Sequence, residues 1–384
     1  MVLAISLSGL SAAQAAPGKI GGPCTKIDSL THVSGVTLIC ATSGKKLLWK
    51  KFQASQPAKT TSAPQTPSAP TSAPIDPMVQ AAYTTFDHTS CVGQQTNFNV
   101  TYFAAPDYSP EMLAKQKVLY NQAMACYNGY FDKKIDIAIA IGNQNDSNFL
   151  LSQTLSGKPL LDSTFTRWVN ENAVKIAATG NGNGNRAAGA AGWNVSLNSA
   201  WVVVMDSTFN SSPDAHMASH EFVHILQSYS RAKLFDHYDQ ADRNADYVNM
   251  ASWFWEGTAE LFSYESTNPT VKGFDASMLE ARYQAKETPS LNKITTNDEV
   301  VATLQKLQEP AYQDGNLMNY ALGSVTCEYI LATYGYAKYW QLMKNAGVYK
   351  DFNENLKATL GLGLNELFVN AAPFILSQWK LNTF

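Results

Sequence analysis

One stretch of this chain has too little apolar side chain to hold a core, and it divides the fold into two problems. Residues 53–77, QASQPAKTTSAPQTPSAPTSAPIDP, are rich in Pro, Ser, Thr and Ala and carry almost no large apolar side chain. Such a segment buries too little apolar surface to offset the entropy of ordering it, and it reads as an extended, disordered tether. A small unit must pack before it and a large one after it.

The N-terminal piece, residues 1–17, is apolar and rich in small residues, with A-x-A-like options around Ala13 to Ala16. It reads as a signal peptide, although it has no positive leading segment, so a start further upstream is expected. A short buried helix is the plainer alternative. Residues 18–52 contain VTLIC and KLLWK, two short strands joined by the turn ATSGKK, which predicts a β-hairpin. A Gly-rich start, two cysteines and a second strand ending in Leu-x-Trp resemble a small motif of secreted actinobacterial proteins. That resemblance implies an extracellular setting and no chemistry.

Export makes disulfides plausible for the five cysteines. Closeness in sequence suggests Cys24 with Cys40 and Cys91 with Cys126, while Cys327 sits in an apolar helical run and reads as an unpaired core residue. No pair has the CxxC spacing of a metal site. Net charge is −3 and only 15% of residues are charged, so no basic field argues for a nucleic-acid partner. Beyond the first residues, no segment has the run of apolar residues that a spanning helix needs.

Residues 78–384 read as one domain. SPEMLAKQKVLYNQAMACYNGYF and DSTFTRWVNENAVKIAA have helical periodicity, and KIDIAIAIG and AWVVVMDS are buried strands. The stretch GNGNGNRAAGAAGWN between them reads as a loop; its GNGNGN lacks the preceding strand and the spacing of a dinucleotide fingerprint. AWVVVMDS is expected to be the edge strand that pairs with an extended ligand. From Ser212 onward nearly every segment is helical. Strands first and helices later predict an α+β fold.

The chemistry concentrates in SHEFVHILQSYS. Ser212 is a good N-cap, Pro213 suits the first helical position and Asp214 favours the positive helix end. His220 and His224 then stand at i and i+4, so both imidazoles leave one face a turn apart and can bite one zinc ion. Glu221, beside the first, can reach a metal-bound water without binding the metal. Two surface histidines next to a glutamate would spell the same letters, so a third ligand has to decide. Downstream, ASWFWEGTAELFSYES offers Glu256 and Glu260 at i and i+4 among aromatic residues, where a carboxylate is costly to bury without a partner. A metal for Glu256 and an imidazole N–H for Glu260 would supply those partners.

HEFVH followed by WFWEGTAEL resembles the gluzincin zinc peptidases, especially the peptidase-MA-like group and its aminopeptidase relatives. The resemblance spans roughly residues 195–345. It implies a zincin-like fold: a small mixed sheet with an active-site helix, then a mainly helical subdomain. By position it makes His220, His224 and Glu256 the zinc ligands, Glu221 the general base and Glu260 the acid that orients a histidine. AYQDGNLMNYALGS resembles the family's Y-x-x-G helix start, which makes Tyr312 the phenol that steadies the oxyanion.

Two features depart from the family. The 31 residues between His224 and Glu256 (225–255) exceed the usual gap, and no G-x-M-E-N strand is present, so an aminopeptidase is not supported. The extra loop carries Asp236, His237, Asp239 and Asp242, which read as alternative ligands in another zincin type, a solvated acidic loop or a structural calcium site. A metzincin is excluded because Gln227 and Ser230 stand where that family needs Gly and His. His216 shares the face of His220, where it could line the cleft, with a surface histidine as the plainer reading.

The expectation is a secreted or surface-tethered zinc metallopeptidase acting on a peptide or protein substrate. A non-catalytic exported binding module that keeps the fold, and a zinc hydrolase for other substrates, are the alternatives.

Overall fold

The structure is a computed structural model that describes residues 19–24, 30–33, 36–43, 46–51, 74–86, 88, 91, 93, 95–161, 165–178, 187–194, 197–208, 213–234, 249–286, 294–309 and 317–380. The expected signal peptide, most of the tether, GNGNGN, the acidic loop from Asp236 to Asp242, Ser212 and Tyr312 lie outside these residues. The chain forms two units, residues 1–72 and 73–384.

The first unit is an antiparallel sheet of β1 (Leu30–Val33), β2 (Val36–Ser43) and β3 (Lys46–Lys51), in that order. The expected hairpin is β2 and β3, in register from Leu38 opposite Lys51 to Ser43 opposite Lys46; β1 is an additional strand. Gly21, at φ 78°, turns the preceding segment so that its N–H donates to the Trp49 carbonyl at 2.7 Å. A disulfide joins Cys24 to Cys40 and ties that segment to β2. In so small a unit a covalent staple adds to what a limited core can supply.

The second unit is mixed α and β. Helix α1 (Pro77–Thr85) is capped by Asp76, whose carboxylate accepts from Met78 N–H at 2.8 Å and from Gln378 at 3.1 Å. The packed unit therefore reaches back to Asp76, inside the Pro-rich stretch. Next come β4 (Phe98–Ala104), α2 (Pro110–Cys126), β5 (Ile135–Asn143) and α3 (Ser147–Ser152). A two-residue ribbon β6 (Thr154–Leu155) and β7 (Lys158–Pro159), α4 (Phe165–Ala177), β8 (Ala187–Asn194) and β9 (Ser199–Asp206) complete the sheet half. The second expected disulfide, Cys91–Cys126, anchors the end of α2, and Cys327 is free and buried.

The main sheet runs β4-β5-β9-β8, parallel except for β8. Two sequence expectations are corrected here. AWVVVMDS is not the edge: β9 lies between β5 and β8, and every one of its residues is buried. Its unbroken apolar run is the pattern of a strand covered on both faces. The edge on that side is β8, whose AAGAAGWN reads as loop because Ala and Gly carry almost no strand signal; eight backbone pairings to β9 hold it there. Ile137, Ile139, Ile141, Val202 and Val204 face one core, while Ala138, Ala140, Trp201, Val203 and Met205 face a second, smaller one that includes Leu150 and Val169 from α3 and α4.

The remaining elements are helical: α5 (Ala215–Arg231), α6 (Ser252–Thr267), α7 (Val271–Lys286), α8 (Asn297–Lys306), α9 (Leu317–Lys344), α10 (Phe352–Leu360) and α11 (Leu364–Lys380). Helices α6 and α9 touch at Gly257 and Gly323. A Cβ on Gly257 would lie 2.3 Å from the Gly323 carbonyl carbon, so only glycine permits this approach. Among the described residues no single helix is long and apolar enough to cross a membrane.

Between α6, α7 and α9 lies a buried charged group. Glu265 is fully enclosed and neither of its oxygens has a hydrogen-bond partner. Burial, then the neighbouring Glu328, pushes its carboxyl well above the usual range. Burial also raises Glu328, to about 7, although the Arg282 guanidinium 3.6 Å away opposes it. The folded chain therefore holds the Glu265 proton to higher pH than the unfolded chain does, and stability falls as pH rises above the ordinary glutamate range. Glu265→Gln removes that titration while keeping the shape of the protonated acid. Thermal melts should show the variant equal to wild type near about pH 4 and increasingly more stable toward about pH 8. Parallel curves across that range would contradict the assignment.

Candidate metal centre

Helix α5 begins two residues later than the sequence suggests. Its N-cap is Asp214, whose carboxylate accepts from the first-turn amide of His216 at 2.9 Å, and Pro213 precedes the cap instead of opening the helix. From Ala218 to Arg231 every residue is buried. Phe222, Val223, Ile225 and Leu226 belong to the larger core, which leaves His216, His220 and His224 as a row four residues apart. Helix α6 answers with Glu256, Glu260 and Tyr264 at the same spacing.

The two rows meet in opposite chain directions. His220 Nε2 and His224 Nε2 are 3.1 Å apart, and Glu256 Oε2 lies 3.5 and 3.4 Å from them. An ion with ligand bonds of about 2.0–2.1 Å in tetrahedral array has ligand-to-ligand edges of roughly 3.3–3.4 Å. The three atoms already stand at about that separation. Glu256 Oε2 is enclosed and has no hydrogen-bond partner, an expensive state for a carboxylate oxygen that has nothing to bind. The residues present thus fit a divalent metal such as zinc, with two nitrogens and one oxygen as donors.

The two imidazoles are held from behind. His224 Nδ1 meets Gln227 Oε1 at 2.8 Å, and Gln227 in turn donates to the Trp255 carbonyl at 2.9 Å. The His224 ring also stacks on Trp255, 5.1 Å between centroids. Glu260 places Oε1 3.3 Å from His220 Nδ1 and accepts from His216 Nε2 at 3.0 Å. Charges follow from this packing. Burial alone would raise Glu256, but the imidazoles of His224 and His220 override it and hold the carboxyl down at about 2. Glu260 is lowered in the same way, with His216 the largest opposing influence on its burial. Burial disfavours a charged His220, yet Glu256 and Glu260 outweigh it and raise its pKa well above the usual value. Glu221 is raised by burial, with His220 and His224 offsetting part of the shift.

Glu221 leans on the edge strand. A Cβ at Gly189 of β8 would sit 2.6 Å from Glu221 Oε1, so the strand and the carboxylate share a space that only glycine leaves open. Of the residues singled out from the sequence, His220, Glu221, His224, Glu256 and Glu260 come together, and Tyr312 lies outside the described residues. Two further residues join them. His216 is only partly exposed and bonds Glu260. Tyr320, on α9, stacks on the His220 ring at 5.9 Å and 15°. Its phenol is raised by burial and then by Glu256, Glu221 and Glu260, so it keeps its proton. Nothing in NLMNYALGS distinguishes this tyrosine from a packing residue. His216 had a signal in its spacing, but its partner lies on another helix.

No known protein family matches the chain, and neither the curated proteins nor the solved structures offer a match.

The contact between Gly189 and Glu221 is testable through stability alone. Gly189→Ala should cost about 1–3 kcal/mol in urea unfolding, because the methyl group must displace the carboxylate or the strand. In a Glu221→Ala background the same change should cost much less. Equal costs in the two backgrounds would remove the contact from the account.

Proposed function

We propose that this chain is a zinc metallopeptidase of the gluzincin kind, exported and active outside the cell or at its surface. The observation that carries the reading is the convergence of His220 Nε2, His224 Nε2 and Glu256 Oε2 at tetrahedral-edge separations, with Glu221 beside them. The mixed α+β architecture, with an active-site helix under a small sheet, supports a zincin-like fold. Two disulfides suit an oxidising compartment.

Zinc bound by these three residues would act as a Lewis acid on the scissile carbonyl and acidify a water at neutral pH. Glu221 accepts the proton of the attacking water and passes it to the leaving amine. Its enclosed position raises its basicity relative to an exposed carboxylate, which suits proton transfer. Tyr320, protonated and stacked on His220, is a donor placed near where negative charge develops. The resemblance assigns that task to Tyr312, and the two phenols are separable by substitution. Strand β8 supports a peptide substrate. Among the described residues its outer edge pairs with no other strand, and its Ala and Gly side chains leave the backbone open to an extended chain running alongside.

The deciding experiment is hydrolysis of a mixed peptide library by the purified full chain, beside Glu221→Gln. Wild type should cleave in a chelator-sensitive way, and the variant should lose at least about a hundredfold in rate while retaining zinc. Zinc bound by both proteins without cleavage by either would favour a binding module instead. Tyr320→Phe should lower kcat more than KM; unchanged kinetics would return the donor role to Tyr312.

A further inference from the structure

The facing rows contain one rung more than the proposed chemistry uses. His224 meets Glu256, and His220 lies between Glu256 and Glu260. The last rung is His216, whose Nε2 donates to Glu260 at 3.0 Å and whose ring stacks on Tyr264 at 4.3 Å and 24°. Its backbone N–H is fixed as well, donating to the capping Asp214 at 2.9 Å. His216 is thus held at the amide, at the ring face and at the ring nitrogen, although it lies at the first turn of the helix.

Glu260 needs such an anchor. It is buried, and its two oxygens divide between two imidazoles: Oε2 takes the His216 N–H, while Oε1 lies 3.3 Å from His220 Nδ1. His220 Nδ1 is enclosed and has no other partner among the described residues. If Oε2 were released, the carboxylate could turn about its last torsion, and the Nδ1 side of His220 would lose the group that faces it. The orientation of a ligating imidazole depends on what its other nitrogen meets.

We infer that His216 is a positioning residue of the metal centre, clamping Glu260 so that His220 presents Nε2 to the ion. The inference rests on the reading that an ion lies between His220, His224 and Glu256. The same rung has a rival use. His216, His220 and Glu260 each offer one donor atom within 4.8 Å of the other two, close enough for an ion of their own. That use would take His220 Nδ1 away from Glu260 and is incompatible with the clamp.

The test measures zinc affinity of the full chain by competition with a chromophoric chelator, for wild type, His216→Ala and His216→Gln. It is paired with the visible spectrum of each cobalt-substituted protein and with circular dichroism of the metal-free forms. Wild type should bind one equivalent. His216→Ala should weaken binding about tenfold and shift the cobalt bands while keeping its dichroism. His216→Gln, whose amide N–H can still reach Glu260, should recover most of the loss. Equal affinity in all three proteins, or an equal loss in both variants, would overturn the positioning role while leaving the metal centre intact. A second equivalent in wild type would overturn it in favour of the rival site. Wild type that takes up no zinc would overturn both this inference and the proposed function.

Discussion

A carboxylate cannot be buried alone, and the second unit of this protein is arranged around that constraint. Glu256 and Glu260 project from a helix that buries Trp253, Phe254, Ala259, Leu261 and Phe262 beside them, and α6 packs against both α5 and α9. Left without partners, the two acids would oppose the packing that the apolar residues favour. The histidine row of α5 resolves the conflict by meeting them at the same four-residue spacing from the opposite direction. The pairing fixes the register of the two helices. It also leaves one cluster of donors, around Glu256 Oε2, short of partners, and this is where an ion fits.

Glycine supplies the clearance for that register. Gly257 and Gly323 let α6 and α9 approach at backbone distance, which sets where Glu256 stands, since it is the preceding residue. Gly189 does the same on the other side, where β8 runs against Glu221. The buried group of Glu265, Glu328 and Arg282 makes a contrast. There the carboxyls are driven toward the protonated form and Glu265 has no cation beside it. One buried acidic group is matched by imidazoles and remains charged. In the other, Glu265 faces burial and a second acid and is driven to its neutral form.

The part of the site legible in the sequence is the part that lies within single helices. His220 and His224 follow from a four-residue period, as do Glu256 and Glu260; Glu221 follows from its place beside His220, and the aromatic company of the glutamate pair signals burial. What was not legible depends on contacts between elements. His216 looks like a surface residue until Glu260 is placed opposite it. Tyr320 is one tyrosine of eighteen until α9 brings it over His220. The same division holds for the fold. KIDIAIAIG declares itself as a strand, whereas AAGAAGWN has no intrinsic preference and becomes one only because β9 pairs with it. The cap is Asp214 for a local reason, since its carboxylate reaches the His216 amide two residues on.

The central claim is that His220, His224 and Glu256 hold one divalent ion. Its most direct test is anomalous diffraction above and below the zinc edge from crystals of the full chain grown with equimolar zinc. The account predicts one peak, about 2.0–2.2 Å from His220 Nε2, His224 Nε2 and a Glu256 oxygen. No peak between these side chains, or a peak held instead by His216 and Glu260, would contradict it.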